Sequence, residues 1–107
     1  MKIGIVGGVE RNEPQYRKIA EDAGHELVFH SGHVNGRSGD KLVEVARSVQ
    51  LLLVLTDVNS HGAVGVARKA AAKFGTPVML MRRLGPSRFA ADLPKLATTA
   101  ANTRRVA

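Results

Sequence analysis

Residues 51–57 read LLLVLTD: five consecutive apolar positions, then a threonine and an acid. Strict alternation would mark a strand with one wet face. An unbroken apolar run of strand length marks one covered on both faces, as at the centre of a parallel sheet. Outward from this run, the chain repeats strand and helix four times. KIGIVGG (2–8) is another apolar run, stopped by two glycines. NEPQYRKIAEDAG (12–24) sets Tyr16, Ile19, Ala20 and Ala23 at helical spacing, with Asn12 as cap, Pro14 in the first turn and Gly24 as the stop. HELVFHSG (25–32) alternates, with Leu27 and Phe29 on one face, which predicts an edge strand.

GDKLVEVARSVQ (39–50) reads as a helix with Leu42, Val45, Ala46 and Val49 on one face, capped by Ser38 or Asp40. SHGAVGVARKAAAKFG (60–75) is a third helix, whose small residues Gly62, Ala63, Gly65, Ala67, Ala70 and Ala71 allow close approach to a sheet or another helix. TPVMLMR (76–82) is the fourth strand. GPSRFAADLPKL (85–96) is a fourth helix, which Pro94 should end or kink.

Alternating βα units predict a small three-layer α/β fold, a four-stranded parallel sheet with helices on both faces. Right-handed crossovers, with strand 2 at the edge and strands 1 and 3 central, give the strand order 2-1-3-4 of a flavodoxin-like or Rossmann-like sheet. The expected domain spans residues 1–96, and residues 97–107 form a basic, flexible tail with little to bury.

Composition bounds the chemistry. The chain of 107 residues has no Cys, which removes disulfides, thiolate metal sites and cysteine nucleophiles. Three Phe, one Tyr and no Trp argue against aromatic platforms for single-stranded nucleic acid. MKIGIVGG is too short and too quickly interrupted for a signal peptide, and no apolar run approaches the ~20 residues of a membrane span, so the expected location is cytoplasmic with no membrane contact. The net charge of +7 is unevenly placed: residues 1–67 hold seven Lys or Arg against eight acids, whereas residues 68–107 hold nine against Asp92 alone. Such asymmetry points to an anionic ligand or partner, or to a merely solvated face.

In open parallel sheets, ligands bind in the crevice beyond the carboxyl ends of the strands. Four loops meet there: GGVERN (7–12), HSGHVNGRSG (30–39), TDVNSHG (56–62) and RRLGPS (82–87). They concentrate Gly7, Gly8, Gly85, Arg11, Arg82 and Arg83 at one edge. Glycines let a backbone approach a ligand, helix N-termini offer free N–H groups to anions, and arginine forks phosphate or carboxylate. Thr56, Asp57, Ser60, His61 and Ser87 add hydroxyls, a carboxylate and an imidazole, each of which would equally serve as a strand end or helix cap.

The expected ligand set is therefore Gly7, Gly8, Arg11, Thr56, Asp57, Ser60, His61, Arg82, Arg83, Gly85 and Ser87. Gly7-Gly8 fits neither a dinucleotide fingerprint nor a Walker A loop. Asp57 ends strand 3 as the phosphoacceptor of a receiver domain does, but strand 1 ends in glycines rather than acids and a fifth strand is missing. An alternative is a metal held by His30, His33 and His61, though no HxxxH or HExxH pattern supports it. Another is nucleic acid on Arg68, Lys69, Lys73, Arg88, Lys95, Arg104 and Arg105, with steep salt dependence. For nucleophilic catalysis, Ser31, Ser38, Ser60 and Ser87 lack a GxSxG elbow, and no carboxylate pair is evident. The residues read as a non-enzymatic binding or regulatory domain for an anionic small molecule, with no cofactor assigned. A homodimer through the third helix or the strand 4 edge is expected.

Several elements together resemble the uncharacterised bacterial DUF2325 proteins: IVGG with a following Arg (Ile5 to Gly8, Arg11), Tyr16, FHSG (Phe29 to Gly32), TDVNSHGA (Thr56 to Ala63), FGTPVMLMR (Phe74 to Arg82) and the later Gly85-x-Ser87. The resemblance covers about residues 2–93 and is most specific at TDxxSHxA with the later G-x-S. It implies a Rossmann-like α/β domain without an assigned reaction, in which Thr56, Asp57, Ser60, His61, Arg82, Gly85 and Ser87 share one site. Relatives often carry Cys in or near the third loop, where this chain has Val58 and Asn59.

Overall fold

A computed structural model describes residues 1–7, 12–30, 38–56, 61–82 and 85–106, with the side chains of 38–40, 61–62 and 99–106 left aside. Four strands, β1 (Lys2–Val6), β2 (Glu26–His30), β3 (Leu51–Leu55) and β4 (Val78–Met81), alternate with four helices, α1 (Glu13–Asp22), α2 (Ser38–Ser48), α3 (His61–Phe74) and α4 (Pro86–Val106). The sheet is wholly parallel in the order β2-β1-β3-β4, the topology expected. All five residues of β3 are buried, which accounts for its unbroken apolar run.

Alternation along the strands divides the core in two. Ile3, Ile5, Leu27, Leu51, Leu53 and Leu55 face α1 and α4, where they meet Tyr16, Ala20, Phe89, Leu93 and Leu96. Tyr16 is the hinge pin of this layer: its ring meets Phe89 edge-on at 5.6 Å and stacks with Phe29 at 6.4 Å. Val6, Leu52 and Val54 face the other way, onto Leu42, Val45 and Ala46 of α2, Val49 just after it, and the alanines of α3. The small residues of α3 let it pack against both α2 and the sheet. Gly4 belongs to this second face: a Cβ there would lie 2.9 Å from Leu52 Cδ1 and 3.1 Å from Val45 Cγ1, so only glycine lets α2 come this close to β1.

Helix ends are closed by backbone bonds of the kind that glycine permits. After α1, His25 N–H reaches the Ala20 carbonyl (2.8 Å), and after α3, Thr76 N–H reaches the Ala71 carbonyl (2.9 Å). Asn12, expected as the α1 cap, makes no capping bond, and its backbone is already in the right-handed helical region. Its side chain instead hydrogen-bonds the Tyr16 hydroxyl one turn on, satisfying a polar group that would otherwise enter the core unpaired. Pro94 does not end α4, which continues helically to Val106; residues 97–106, read from the sequence as a tail, extend this helix. Pro94 is exposed and followed two residues later by the buried Leu96, so packing against α1 holds the helix across the lost N–H. The expected caps of α2, Ser38 and Asp40, have side chains outside the described set.

Candidate functional site

Because all four strands run the same way, the loops after Val6, His30, Leu55 and Met81 leave from one edge, and each following helix begins there. From β1 the chain moves to the β2 side, and from β3 it moves to the β4 side, so the strand order reverses between β1 and β3. The connection after β1 leads to α1 on one face, and the connection after β3 leads to α3 on the opposite face. A crevice opens between such diverging loops in any doubly wound sheet.

Gly7 and Thr56 line the two sides of this point, one just beyond each strand. Gly7 has φ +92, a conformation that side-chain-bearing residues rarely adopt. Its N–H donates to the His30 carbonyl at 2.8 Å, which prolongs the β1–β2 ladder by one rung. Thr56 N–H does the same on the other side, donating to the Met81 carbonyl at 2.7 Å, while its side chain is exposed. The strand ends are therefore braced, and the groups beyond them start from a rigid rim.

Arg82, Gly85 and Ser87 are exposed at the same edge, Arg82 directly after β4 and Ser87 in the first turn of α4. His61 opens α3, and its side chain is outside the described set. Gly8, Arg11, Asp57, Ser60 and Arg83 also lie outside the described residues. Of the three histidines weighed as metal ligands, His30 is the last residue of β2 and is only 9% exposed. It shares the α2 face with Val28 by alternation. His33 lies outside the described residues. Among the described residues, no three His, Asp or Glu side chains gather as a metal cluster, and no helix is long and apolar enough to cross a membrane.

The sequence reading missed a cavity of about 500 Å³ between α1 and α4, at the opposite end of the sheet, lined by Ile19, Asp22, Ala23, His25, Ala90, Leu93 and Pro94. His25 is fixed there by the N-terminal ammonium of Met1, which donates to its Nδ1 at 3.0 Å. Burial, and secondarily that neighbouring positive charge, hold the imidazole below its ordinary pKa. Nothing in a run such as EDAGHE signals a pocket, because its walls come from helices some 70 positions apart in the chain.

Comparison with known proteins agrees with the resemblance in the motifs. The family model described as "Uncharacterized protein conserved in bacteria (DUF2325)" matches residues 2–96. A UPF0751 protein of Desulfitobacterium hafniense strain Y51 is 31% identical over 102 residues, covering 94% of this chain and all of the relative. A UPF0751 protein of strain DSM 10664 / DCB-2 is 31% identical over 88 residues, covering 81% of this chain and 86% of the relative. The match runs from β1 into α4 and so includes every loop of the carboxyl edge. On this evidence the chain belongs to the DUF2325 family of uncharacterised bacterial proteins.

Proposed function

We propose that this protein is a non-enzymatic binding or regulatory domain that takes an anionic small molecule, phosphate- or nucleotide-like, at the carboxyl edge of its sheet. The observation that carries the reading is the reversal of strand order between β1 and β3, with Gly7 at positive φ on one side and Thr56 exposed on the other. Four helices begin at that edge, and their free N–H groups favour negative charge. In this reading Gly7, Gly8, Ser60 and Ser87 supply backbone or hydroxyl donors. Arg11, Arg82 and Arg83 neutralise the anion, and Thr56, Asp57, His61 and Gly85 shape the pocket around it.

The test is a thermal-shift and calorimetric titration with inorganic phosphate, a nucleoside monophosphate and a nucleoside triphosphate. A ligand present at about 100 times its Kd raises stability by about 2.7 kcal/mol, an easily read shift in Tm. His61→Ala should weaken the shift while leaving the unliganded Tm in place, and Arg82→Ala should weaken it as well. No shift with any of the three probes at millimolar concentration would sink the reading.

A further inference from the structure

The two edges of the sheet are finished differently. At the β2 edge, Glu26 N–H donates to the Met1 carbonyl, and the His30 carbonyl accepts from Gly7. In a parallel ladder this alternation turns Leu27 and Phe29 backbone groups outward. The outward Leu27 carbonyl is covered: Arg17 Nη1 donates to it at 3.1 Å, and the guanidinium is held by Glu13 at 3.5 Å. Glu26 adds an exposed charge to the same strand. Charge and a covering side chain are the usual guards against unwanted strand pairing.

At the β4 edge, Leu52 N–H donates to the Pro77 carbonyl and Thr56 N–H to the Met81 carbonyl. The backbone groups of residues 77, 79 and 81 thus serve β3, and those of Val78 and Leu80 face away from it. Among the described residues, nothing pairs with this side of the strand. The strand itself, VMLM, carries no charge and no proline. Leu80 is 46% exposed, and Phe74, at the end of the helix leading into β4, is 36% exposed.

The stretch of chain that carries this edge has one sign of charge. Between Asp57 and Asp92 the chain has no acidic residue, yet it has Arg68, Lys69, Lys73, Arg82, Arg83 and Arg88. Arg68, Lys69, Lys73 and Arg82 are exposed on α3 and at the end of β4, and Lys73 Nζ stands 5.6 Å from the centre of the Phe74 ring. Two such edges brought together would repel.

We propose that the β4 edge is a docking strand for an extended, acidic segment of a partner protein, which adds a fifth strand to the sheet. Val78 and Leu80 supply the main-chain rungs, Leu80 takes alternate apolar side chains of the segment, and the surrounding cations take its carboxylates. Main-chain pairing gives affinity and alternate pockets give selectivity in this mode of recognition.

The experiment is selection of a displayed random peptide library on the full chain, alongside two variants. Leu80→Pro removes an outward N–H that the fold does not use, and Leu80→Glu keeps the backbone and reverses the charge preference. Enriched peptides are expected to alternate apolar and acidic residues. Their measured affinity should fall about tenfold on Leu80→Pro, as expected for a lost main-chain bond. It should fall likewise on Leu80→Glu and with added salt, while the Tm of Leu80→Glu stays at the parent value. Three results would overturn the proposal: no enrichment; enrichment that both variants retain, including binding of nucleic acid that ignores Leu80; or a dimer in sedimentation that Leu80→Glu splits, which would make a second copy the occupant.

Discussion

The Thr76 hydroxyl donates to the Ala46 carbonyl at 2.7 Å, a buried bond between residues thirty positions apart. Ala46 lies in the last turn of α2, and the amide that would serve its carbonyl in a longer helix, Gln50 N–H, is taken by the Lys2 carbonyl. Thr76 therefore closes one of the open carbonyls at the end of α2, and in doing so ties the approach to β4 to the helix that covers β1. Thr76→Val keeps the shape and leaves a buried acceptor unpaired. It should cost about 1–3 kcal/mol, read as a lower urea midpoint with unchanged slope.

Gly4→Ala is expected to destabilise although alanine suits a strand better than glycine. The new Cβ would press on Leu52 Cδ1, Val45 Cγ1 and Val49 Cγ1, and Leu52 is itself fully buried. Overpacking of this kind costs about 1–3 kcal/mol, more than the fraction of a kcal/mol gained by stiffening the unfolded chain. A double variant, Gly4→Ala with Val45→Ala, should recover part of the loss in thermal unfolding.

These two positions show where sequence reading stops. The run LLLVL and the alternation of ELVFH were enough for a central β3 and an edge β2, since burial on two faces or one leaves a direct trace in hydropathy. The order β2-β1-β3-β4, and with it the reversal between β1 and β3, followed from those two strands. Asn12 misled because an amide one turn before a tyrosine serves a cap or a phenol equally well, and tertiary packing of Tyr16 decides. Of the end or kink expected at Pro94, the end does not occur, because local propensity says nothing of Leu93 and Leu96, which anchor the helix on both sides of it. For the site, Gly7 and Thr56 were legible as strand-end residues, whereas the cavity beside His25 was not, because no periodicity records which helices will meet.

His25 makes stability depend on mild acid. Its folded pKa lies below the ordinary value of 6.5, so between the two values the unfolded chain binds more protons than the native one. Stability should be full above about pH 6.5 and decline as pH falls through the folded value, where a charged imidazole must face the Met1 ammonium. Urea midpoints across about pH 5 to pH 8 check this, and His25→Gln should flatten the curve.

Tyr16 acts at the other end of the scale. Burial raises its pKa above 10.0, the Asn12 bond only partly opposing the shift. The native state then keeps a proton that the unfolded chain gives up, and stability should fall as pH rises past about 10. Tyr16→Phe should remove that alkaline loss. At neutral pH it should cost about 1 kcal/mol, for the bond to Asn12, with the Phe89 and Phe29 contacts retained. Circular dichroism melts at neutral and alkaline pH separate the two effects.

The two faces of the sheet are completed at different times in the life of the chain. The buried residues of the α2 and α3 side have all been synthesised by Phe74. The opposite side keeps Ile3, Ile5, Leu51 and Leu53 waiting for Phe89, Leu93 and Leu96. A nascent chain leaving the ribosome is thus lopsided, with one side sealed and the other bare beside α1 alone. Whatever shields hydrophobic surface during translation has to stay with it until α4 arrives.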